Sequence, residues 1–138
     1  MAQGFRYQRR VQFAETDLAG IAHFASLFRY MEEAEHALWR AAGLSIATAG
    51  ENVGWPRVSA SLAFKAPLKF EDEFEVFVTI EKVSRSTIAY RHVIMRGDTV
   101  IAEGTMTTVH ADKKPGQALK STPIPQDILD RLQSVSQA

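Results

Sequence analysis

One long segment with helical periodicity, placed between segments that alternate like strands, limits the folds open to this chain. A helix is predicted to start between Ala22 and Ser26 and to continue to about Ala42. Gly43 follows as a natural helix stop. A helix of roughly 18 residues is about 27 Å long. Its apolar residues recur at spacings of three, four and seven and form one stripe that other elements must cover: Phe24, Leu27, Phe28, Met31, Leu38 and Ala42.

Segments that alternate apolar and polar residues predict five strands around this helix. They lie at 5–13, 57–65, 73–83, 87–95 and 99–110. The connections after the helix are mostly short turns, so antiparallel neighbours are expected. A loop is predicted at 45–56, a polar segment at 111–123 and a short helix at 125–132. The order predicts a single α+β domain over residues 1–138, whose uncovered edge strands suggest a dimer.

Composition narrows the partners and the chemistry. The 138 residues contain 16 Lys plus Arg and 16 Asp plus Glu, so the formal net charge is zero, and neither nucleic acid nor a membrane is expected as a partner. There is no cysteine, which excludes disulfides, thiolate nucleophiles and cysteine metal sites. The first residues lack an apolar signal-peptide core, and no apolar run approaches the roughly 20 residues of a membrane span, so a cytoplasmic location is expected.

Polar residues interrupt the first strand just before the helix. Glu15, Thr16 and Asp17 stand there, and Gly20 follows, so Asp17 is placed at a strand-to-helix junction. The first N–H groups of a helix lack intrahelical partners and carry partial positive charge. A carboxylate beside them can attack a carbonyl or activate water while the amides hold the developing oxyanion. Asp is also common in turns, so a purely structural role for Asp17 stays open.

Three segments resemble a known family. ETDLAGI at 15–21, SLFRYMEEAE at 26–35 and APLKFEDEF at 66–74 resemble the hotdog-fold acyl-CoA thioesterases of the 4-hydroxybenzoyl-CoA thioesterase type. The resemblance implies the hotdog fold, an antiparallel five-stranded sheet wrapped around one long central helix. It further implies an acyl-CoA substrate and a homodimer or homotetramer with its sites at the subunit interface. No cofactor is expected.

The resemblance implies roles for individual residues. Asp17 becomes the catalytic carboxylate, and the thioester carbonyl is expected at the helix N–H groups near Phe24 and Ala25. Glu32 matches the family's acidic helix position. It is expected either to orient the substrate or a water molecule, or to pair with a neighbour such as Arg29.

His23 departs from the family pattern, in which Tyr-His usually precedes the helix. Here the histidine comes one position earlier, before Phe24. His23 could act as acid or base, could donate to the thioester oxygen, or could be only a packed or solvated side chain. His36, His92 and His110 show no ligand spacing with it, so no metal site is expected.

Other polar residues near the junction are expected to have supporting or structural roles. Glu15 lies two residues before Asp17 and is expected to support it from the same side of the strand. Ser26 is a candidate cap for the helix. Glu35 interrupts the apolar stripe and is expected at a solvated helix edge, with burial against a partner across the dimer as the alternative.

The remaining substrate contacts are assigned by position. The walls of the acyl pocket are expected from Phe24 together with Leu27, Phe28 and Met31. Ser59 and Ser61 share one face of a strand and either line the pocket or face water. Cations at strand ends could hold the phosphates of coenzyme A, although surface solubility explains them equally well: Arg85, Lys113 and Lys114.

The sequence therefore predicts an acyl-CoA thioesterase in which Asp17 attacks the thioester to give a mixed anhydride or activates water. The acyl group stays open among aromatic, medium-chain and long-chain types. One alternative is a hotdog hydratase or dehydratase, which would pair a histidine base with a carboxylate, as His23 with Glu32 or Glu35. Another is a non-catalytic acyl-CoA-binding domain, which would normally need an effector domain for which 138 residues leave no room.

Overall fold

Five antiparallel strands form one sheet, and a long helix lies against one of its faces. The computed structural model describes residues 3–47 and 51–136. The main sheet has the order β1-β4-β5-β6-β3, so β1 and β3 are its edges, and a small second sheet joins β2, β7 and β8. The elements are β1 (Phe5–Arg10), a short 3₁₀ helix (Phe13–Glu15), α1 (Phe24–Ala41), β2 (Val53–Gly54), β3 (Arg57–Phe64), β4 (Glu73–Val83), β5 (Thr87–Arg96), β6 (Thr99–Val109), β7 (Ala111–Asp112), β8 (Lys120–Ser121) and α2 (Gln126–Ser136).

The helix α1 and the sheet bury each other's apolar side. Residues three and four positions apart on α1 have no exposed surface: Tyr30, Met31, Ala34 and Leu38. Every second residue of β4 and β5 faces this core, as strand alternation predicts: Phe74, Val76, Val78, Ile88, Tyr90 and Ile94. The predicted α+β arrangement is confirmed, with α2 as a second helix packed on the same core. No helix in the described ranges is long and apolar enough to cross a membrane.

Several predicted boundaries are wrong. The strand predicted at 5–13 ends at Arg10, because a 3₁₀ turn follows it. The N–H of Glu15 donates to the Gln12 carbonyl at 3.0 Å, and the N–H of Gln12 donates to Glu15 Oε1 at 2.7 Å. The loop predicted at 45–56 contains β2, and the polar segment at 111–123 contains β7 and β8. Residues 48–50 of that loop lie outside the described residues. The C-terminal helix extends to Ser136 rather than 132.

Glu35 is not at a solvated helix edge, as the sequence suggested, but in the core. Its side chain is fully buried and accepts a hydrogen bond of 2.7 Å from Arg57 on β3 of the same chain. A register shift between Arg57 and Ser59 against β6 inserts one residue and breaks the alternation, so that Arg57 reaches the helix. Burial raises the pKa of the Glu35 carboxyl, and the hydrogen bond from Arg57 opposes that rise only in part.

His92 on β5 is a second buried titratable group. The residue has no exposed surface, and neither ring nitrogen makes a well-formed hydrogen bond within the described chain. Burial lowers the pKa of the imidazole to about 3, and the positive charge of Arg57 adds to that effect, with only the Met31 backbone opposing it. The folded protein therefore holds His92 neutral.

The neutral state of His92 makes stability depend on pH. An unfolded chain takes up a proton at this histidine below its ordinary pKa of 6.5, whereas the folded chain does so only near 3. The contribution is fully present above about pH 6.5 and is lost as the pH falls toward 3. We expect the free energy of unfolding to drop between pH 7.5 and pH 5, and His92→Leu to reduce that drop by about 2 kcal/mol. Urea unfolding at both pH values measures it. An equal drop in the two proteins would contradict the assignment.

Candidate active site

Asp17 lies on a tight turn that holds one carboxylate oxygen and leaves the other open. Its N–H donates to the carbonyl of Ile21 at 2.9 Å, and the N–H of Gly20 donates to the Asp17 carbonyl at 3.0 Å. Gly20 adopts the left-handed conformation that closes this turn, with φ of +80°. The N–H of Ala19 donates to Asp17 Oδ1 at 2.8 Å. The side chain is exposed, so Oδ2 is free to meet a ligand.

The first turn of α1 lies beside this turn and is capped by His23. Its Nδ1 accepts a hydrogen bond of 3.1 Å from the N–H of Ala25, and its ring stacks on Phe24 with centroids 4.6 Å apart. A neutral His23 therefore carries its proton on Nε2. The predicted cap at Ser26 is wrong, because the Ser26 hydroxyl donates instead to the Glu15 carbonyl at 3.0 Å.

These bonds decide which helix amide is available to a ligand. The N–H of Ala25 is engaged by His23. The N–H of Phe24 finds no acceptor within residues 3–47 and 51–136. Of the two amides expected at the thioester carbonyl, Phe24 offers the open donor, and the helix dipole adds positive potential there.

An apolar groove of about 510 Å³ opens next to Asp17. One side is formed by the turn and the start of α1, including Phe24 and Leu27, and the other by the end of β3 and the segment 64–68. Phe24 and Phe64 are more than half exposed, at 61% and 52%. Asp17 and Phe24, whose N–H has no acceptor among the described residues, therefore line the same apolar groove.

Glu15 is directed away from the groove, unlike the position expected beside Asp17. Its carboxylate accepts from Arg9 at 2.8 and 2.5 Å, from the hydroxyl of Tyr30 at 2.8 Å and from the Gln12 N–H at 2.7 Å. Burial would raise the pKa of this carboxyl, but the hydrogen bonds from Arg9, Gln12 and Tyr30 outweigh burial and keep the pKa below its ordinary value. Glu15 is therefore ionised and saturated with donors.

The residues expected to form the acyl wall separate into two groups. Leu27 lines the groove together with Phe24. Met31 is fully buried in the core, and Phe28 is half-buried against it. Glu32 is exposed, and its carboxylate lies 3.4 Å from Arg57 rather than pairing with Arg29.

Ser59 and Ser61 lie on the sheet face away from α1. They pair with Thr107 and Thr105 of β6, and the Ser61 hydroxyl lies 3.1 Å from that of Thr105. Their neighbours on β6, such as Met106, point into the core instead. Within one chain these serines do not reach the groove.

The expected phosphate-binding cations lie far from Asp17 in the same chain. Arg85 is in the turn after β4, whereas the Asp17 turn is joined to the segment before β4, where the Ala22 N–H donates to the Leu68 carbonyl. The 11 residues of β4 separate these ends by roughly 30 Å. Lys113 and Lys114 directly follow β7, which is joined to β8 and β2.

Two features of the groove were not predicted from the sequence. Phe64 and Lys65 line it, although strand alternation alone marked them as ordinary residues of a strand end. The signal for them was the neighbouring Pro67, which ends the strand inside the segment that resembles the family. Within the described ranges, no group of His, Asp and Glu side chains is arranged to hold a metal ion.

Known proteins are similar to this chain in sequence and in architecture. The family model of the thioesterase-like superfamily matches residues 11–132. A protein of Aquifex aeolicus (strain VF5) is 35% identical over 130 residues, which cover 93% of this chain and 97% of that relative. The 4-hydroxybenzoyl-CoA thioesterase of Pseudomonas sp. (strain CBS-3) is 24% identical over 141 residues, which cover 94% and 98%.

A solved structure agrees with these matches. The crystal structure of a 1,4-dihydroxy-2-naphthoyl-CoA thioesterase from Synechocystis superposes with a TM-score of 0.84 at 25% identity, covering 93% of this chain and 94% of that one. The sheet around a central helix is thus the hotdog fold. Because the family model covers most of the residues, the chain belongs to the thioesterase-like superfamily and is a thioester hydrolase.

Proposed function

We propose that this enzyme hydrolyses the thioester of an acyl-coenzyme A to the free acid and coenzyme A, with Asp17 as the catalytic carboxylate. The observation that carries the proposal is the lining of the apolar groove by Asp17 and Phe24. Among the described residues, Asp17 Oδ1 accepts the Ala19 N–H while Oδ2 has no hydrogen-bond partner, and the Phe24 N–H has no acceptor. The family membership supports the reaction class.

Each part of this site has a task in the reaction. The Phe24 N–H and the helix dipole polarise the thioester carbonyl and hold its oxygen as negative charge develops. Asp17 either attacks the carbonyl carbon, giving a mixed anhydride that water then cleaves, or takes a proton from the water that attacks. In both routes the carbon–sulfur bond breaks and coenzyme A leaves as a thiol after gaining a proton.

An aromatic acyl group fits the groove best. Phe24 and Phe64 are more than half exposed and offer ring surface for aromatic contact, with one face of Phe24 stacked on His23, and Leu27 adds an aliphatic contact. Two of the relatives are named for hydroxylated aromatic thioesters, 4-hydroxybenzoyl-CoA and 1,4-dihydroxy-2-naphthoyl-CoA. We therefore propose an aroyl-CoA as the substrate class.

The hydratase alternative is not favoured. Its histidine–carboxylate pair would need His23 with Glu32 or Glu35. His23 Nδ1 is engaged as a helix cap, and Glu35 is buried against Arg57. The alternative of a non-catalytic acyl-CoA-binding domain would not explain the open oxygen of Asp17.

Two copies of the chain would complete the site. Strand β3 is an edge, and nearly all of its residues are exposed, including Val58 and Phe64. Antiparallel pairing of β3 with its copy would bring the Arg57 end of one chain to the Phe64 end of the other. The expected phosphate-binding cations of the second copy would then approach the groove: Arg85, Lys113 and Lys114. A dimer is the minimal functional unit, and pairing of two dimers gives a tetramer.

Asp17→Asn tests the chemistry. Asparagine keeps a side-chain oxygen for the Ala19 N–H, so the turn should persist, but the carboxylate is lost. We expect kcat for aroyl-CoA hydrolysis, measured by thiol release, to fall roughly 10²–10⁴-fold with little change in KM. Asp98→Asn, at the exposed turn between β5 and β6, is the matched control and should keep full activity. A loss below about threefold in folded Asp17→Asn would remove Asp17 from the mechanism.

His23→Ala separates capping from catalysis. The change removes the acceptor for the Ala25 N–H and should lower stability by about 1 kcal/mol, the usual cost of losing a cap. We expect a smaller loss of kcat than in Asp17→Asn, because His23 is not needed as the base. Thermal unfolding and steady-state rates measure the two effects. An equal loss of kcat in a folded variant would make His23 a catalytic residue.

The assembly can be tested at the middle of β3. Light scattering should give a particle of at least twice the 15.4 kDa of the chain. Ala60 is exposed in the single chain and lies near the centre of the proposed pairing, so Ala60→Glu would bring two carboxylates together across the axis. We expect that variant to dissociate and lose activity while its helical circular dichroism stays unchanged. A stable wild-type monomer at micromolar concentration would overturn the composite site.

A further inference from the structure

A largely buried arginine on β1 is linked through Glu15 to the proposed catalytic turn. Arg9 is bonded to Glu15, two residues before Asp17, and to Glu33 on α1. We infer that Arg9 is a positioning residue for the hydrolysis, which holds Asp17 and the N-terminus of α1 at a fixed separation through Glu15. The inference rests on the proposed function of Asp17 and adds a residue that lies outside the groove.

The guanidinium of Arg9 uses both of its edges. Its two terminal nitrogens donate to the Glu15 carboxylate at 2.8 and 2.5 Å, and its Nε donates to Glu33 Oε1 at 3.0 Å. The central carbon lies 4.9 Å from the centre of the Tyr30 ring. The side chains of Arg9 and Glu15 are only 17% and 15% exposed. These contacts fix the position of Arg9 relative to α1.

Glu15 connects Arg9 to both parts of the site, the start of α1 and the Asp17 turn. Its carbonyl accepts the His23 N–H at 2.8 Å and the Ser26 hydroxyl at 3.0 Å, so the start of α1 is attached to it. In the other direction, Thr16 pairs with Ala22, and Asp17 follows on the turn closed by Ile21. The separation between the open Asp17 oxygen and the Phe24 N–H is therefore set through Glu15.

Arginine suits this task and lysine does not. A planar guanidinium can bind one carboxylate with two parallel hydrogen bonds while it binds a second, whereas an ammonium acts as a point charge. Without Arg9, a largely buried Glu15 carboxylate would lose two donors and the turn would relax toward water. Misplacement of a reacting group by about 1 Å can reduce a rate on the order of 10²-fold.

The neighbouring arginine on β1 provides the matched control. Arg10 is exposed and pairs with Glu73 at 2.6 Å on the outer side of the strand. We expect Arg9→Gln to lower kcat roughly 10–100-fold with KM nearly unchanged, and Arg10→Gln to leave both constants as they are. Arg9→Lys should restore only part of the loss. Thermal unfolding and light scattering confirm that each variant is folded and assembled.

A double-mutant cycle with Asp17→Asn separates positioning from mere stabilisation. If Arg9 acts through Asp17, then adding Arg9→Gln to Asp17→Asn should cause little further loss of kcat. Multiplying losses would overturn the inference, and so would full kcat in folded Arg9→Gln. If Asp17→Asn itself stays active, the proposed function fails instead, whatever Arg9 does.

Tyr30→Phe covers the case in which Arg9→Gln does not fold. It removes one hydrogen bond of 2.8 Å to Glu15 and keeps every charge and the ring. We expect kcat to fall about 3–10-fold with KM unchanged, and this loss also to vanish in the Asp17→Asn background. An unchanged kcat in Tyr30→Phe would overturn the role of the Glu15 anchor.

Discussion

Two arginines on the edge strands of the sheet form ion pairs with the central helix. An edge strand has only one neighbour in its sheet, so its far side has no backbone ladder to hold it. On β1, Arg9 bonds Glu33 of α1, and on β3, Arg57 bonds Glu35 and lies near Glu32. The apolar core fixes where α1 lies, and these ion pairs fix how each edge meets it.

The ion pairs of the two arginines differ in how burial changes the pKa of the carboxyl groups that they bind. Arg57 reaches a fully buried Glu35, where desolvation dominates and the pKa of the carboxyl is raised. Besides Glu33, Arg9 binds Glu15, which is largely but not fully buried; burial would raise the pKa of this carboxyl, but its hydrogen bonds outweigh burial and the pKa is lowered. A buried pair adds little net stability but strongly penalises the loss of one partner. Both sets of ion pairs therefore specify geometry more than they add stability.

Local sequence patterns predicted the strands and helices of this fold, because the spacing of apolar residues, two in a strand and 3.6 in a helix, can be read from neighbouring residues. The strand Glu73–Val83 and the helix α1 follow directly from them. The contact of Arg57 with α1 was not predicted, because it depends on a bulge that interrupts the alternation of β3, and no local sequence pattern indicates that bulge. Glu35 was predicted to be solvated for a related reason. Its partner Arg57 lies 22 residues away in the chain, and the two meet only when the sheet has assembled against the helix.

The candidate site shows the same division between local and distant information. The sequence predicted that Asp17 precedes the start of α1, and the turn at Asp17 lies there, since both are within one short stretch of chain. It could not tell that Ala25 would be engaged by its own cap, or that Phe64 and Lys65 would form the opposite wall. Those contacts depend on where β3 ends against the helix, which is a property of the assembled sheet.

Side-chain length explains why two acids so close in the chain have different surroundings. Glu15 carries one methylene more than aspartate, and its carboxylate reaches both Arg9 and Tyr30 in the interior. Asp17 is short enough for Oδ1 to accept the amide two residues further on, which is the hydrogen bond of an Asx turn. That bond orients the carboxylate of Asp17, which lines the groove. Exchanging the two residues would preserve the charge of the motif, but the longer acid would not form the Asx turn and the shorter one would not reach Arg9.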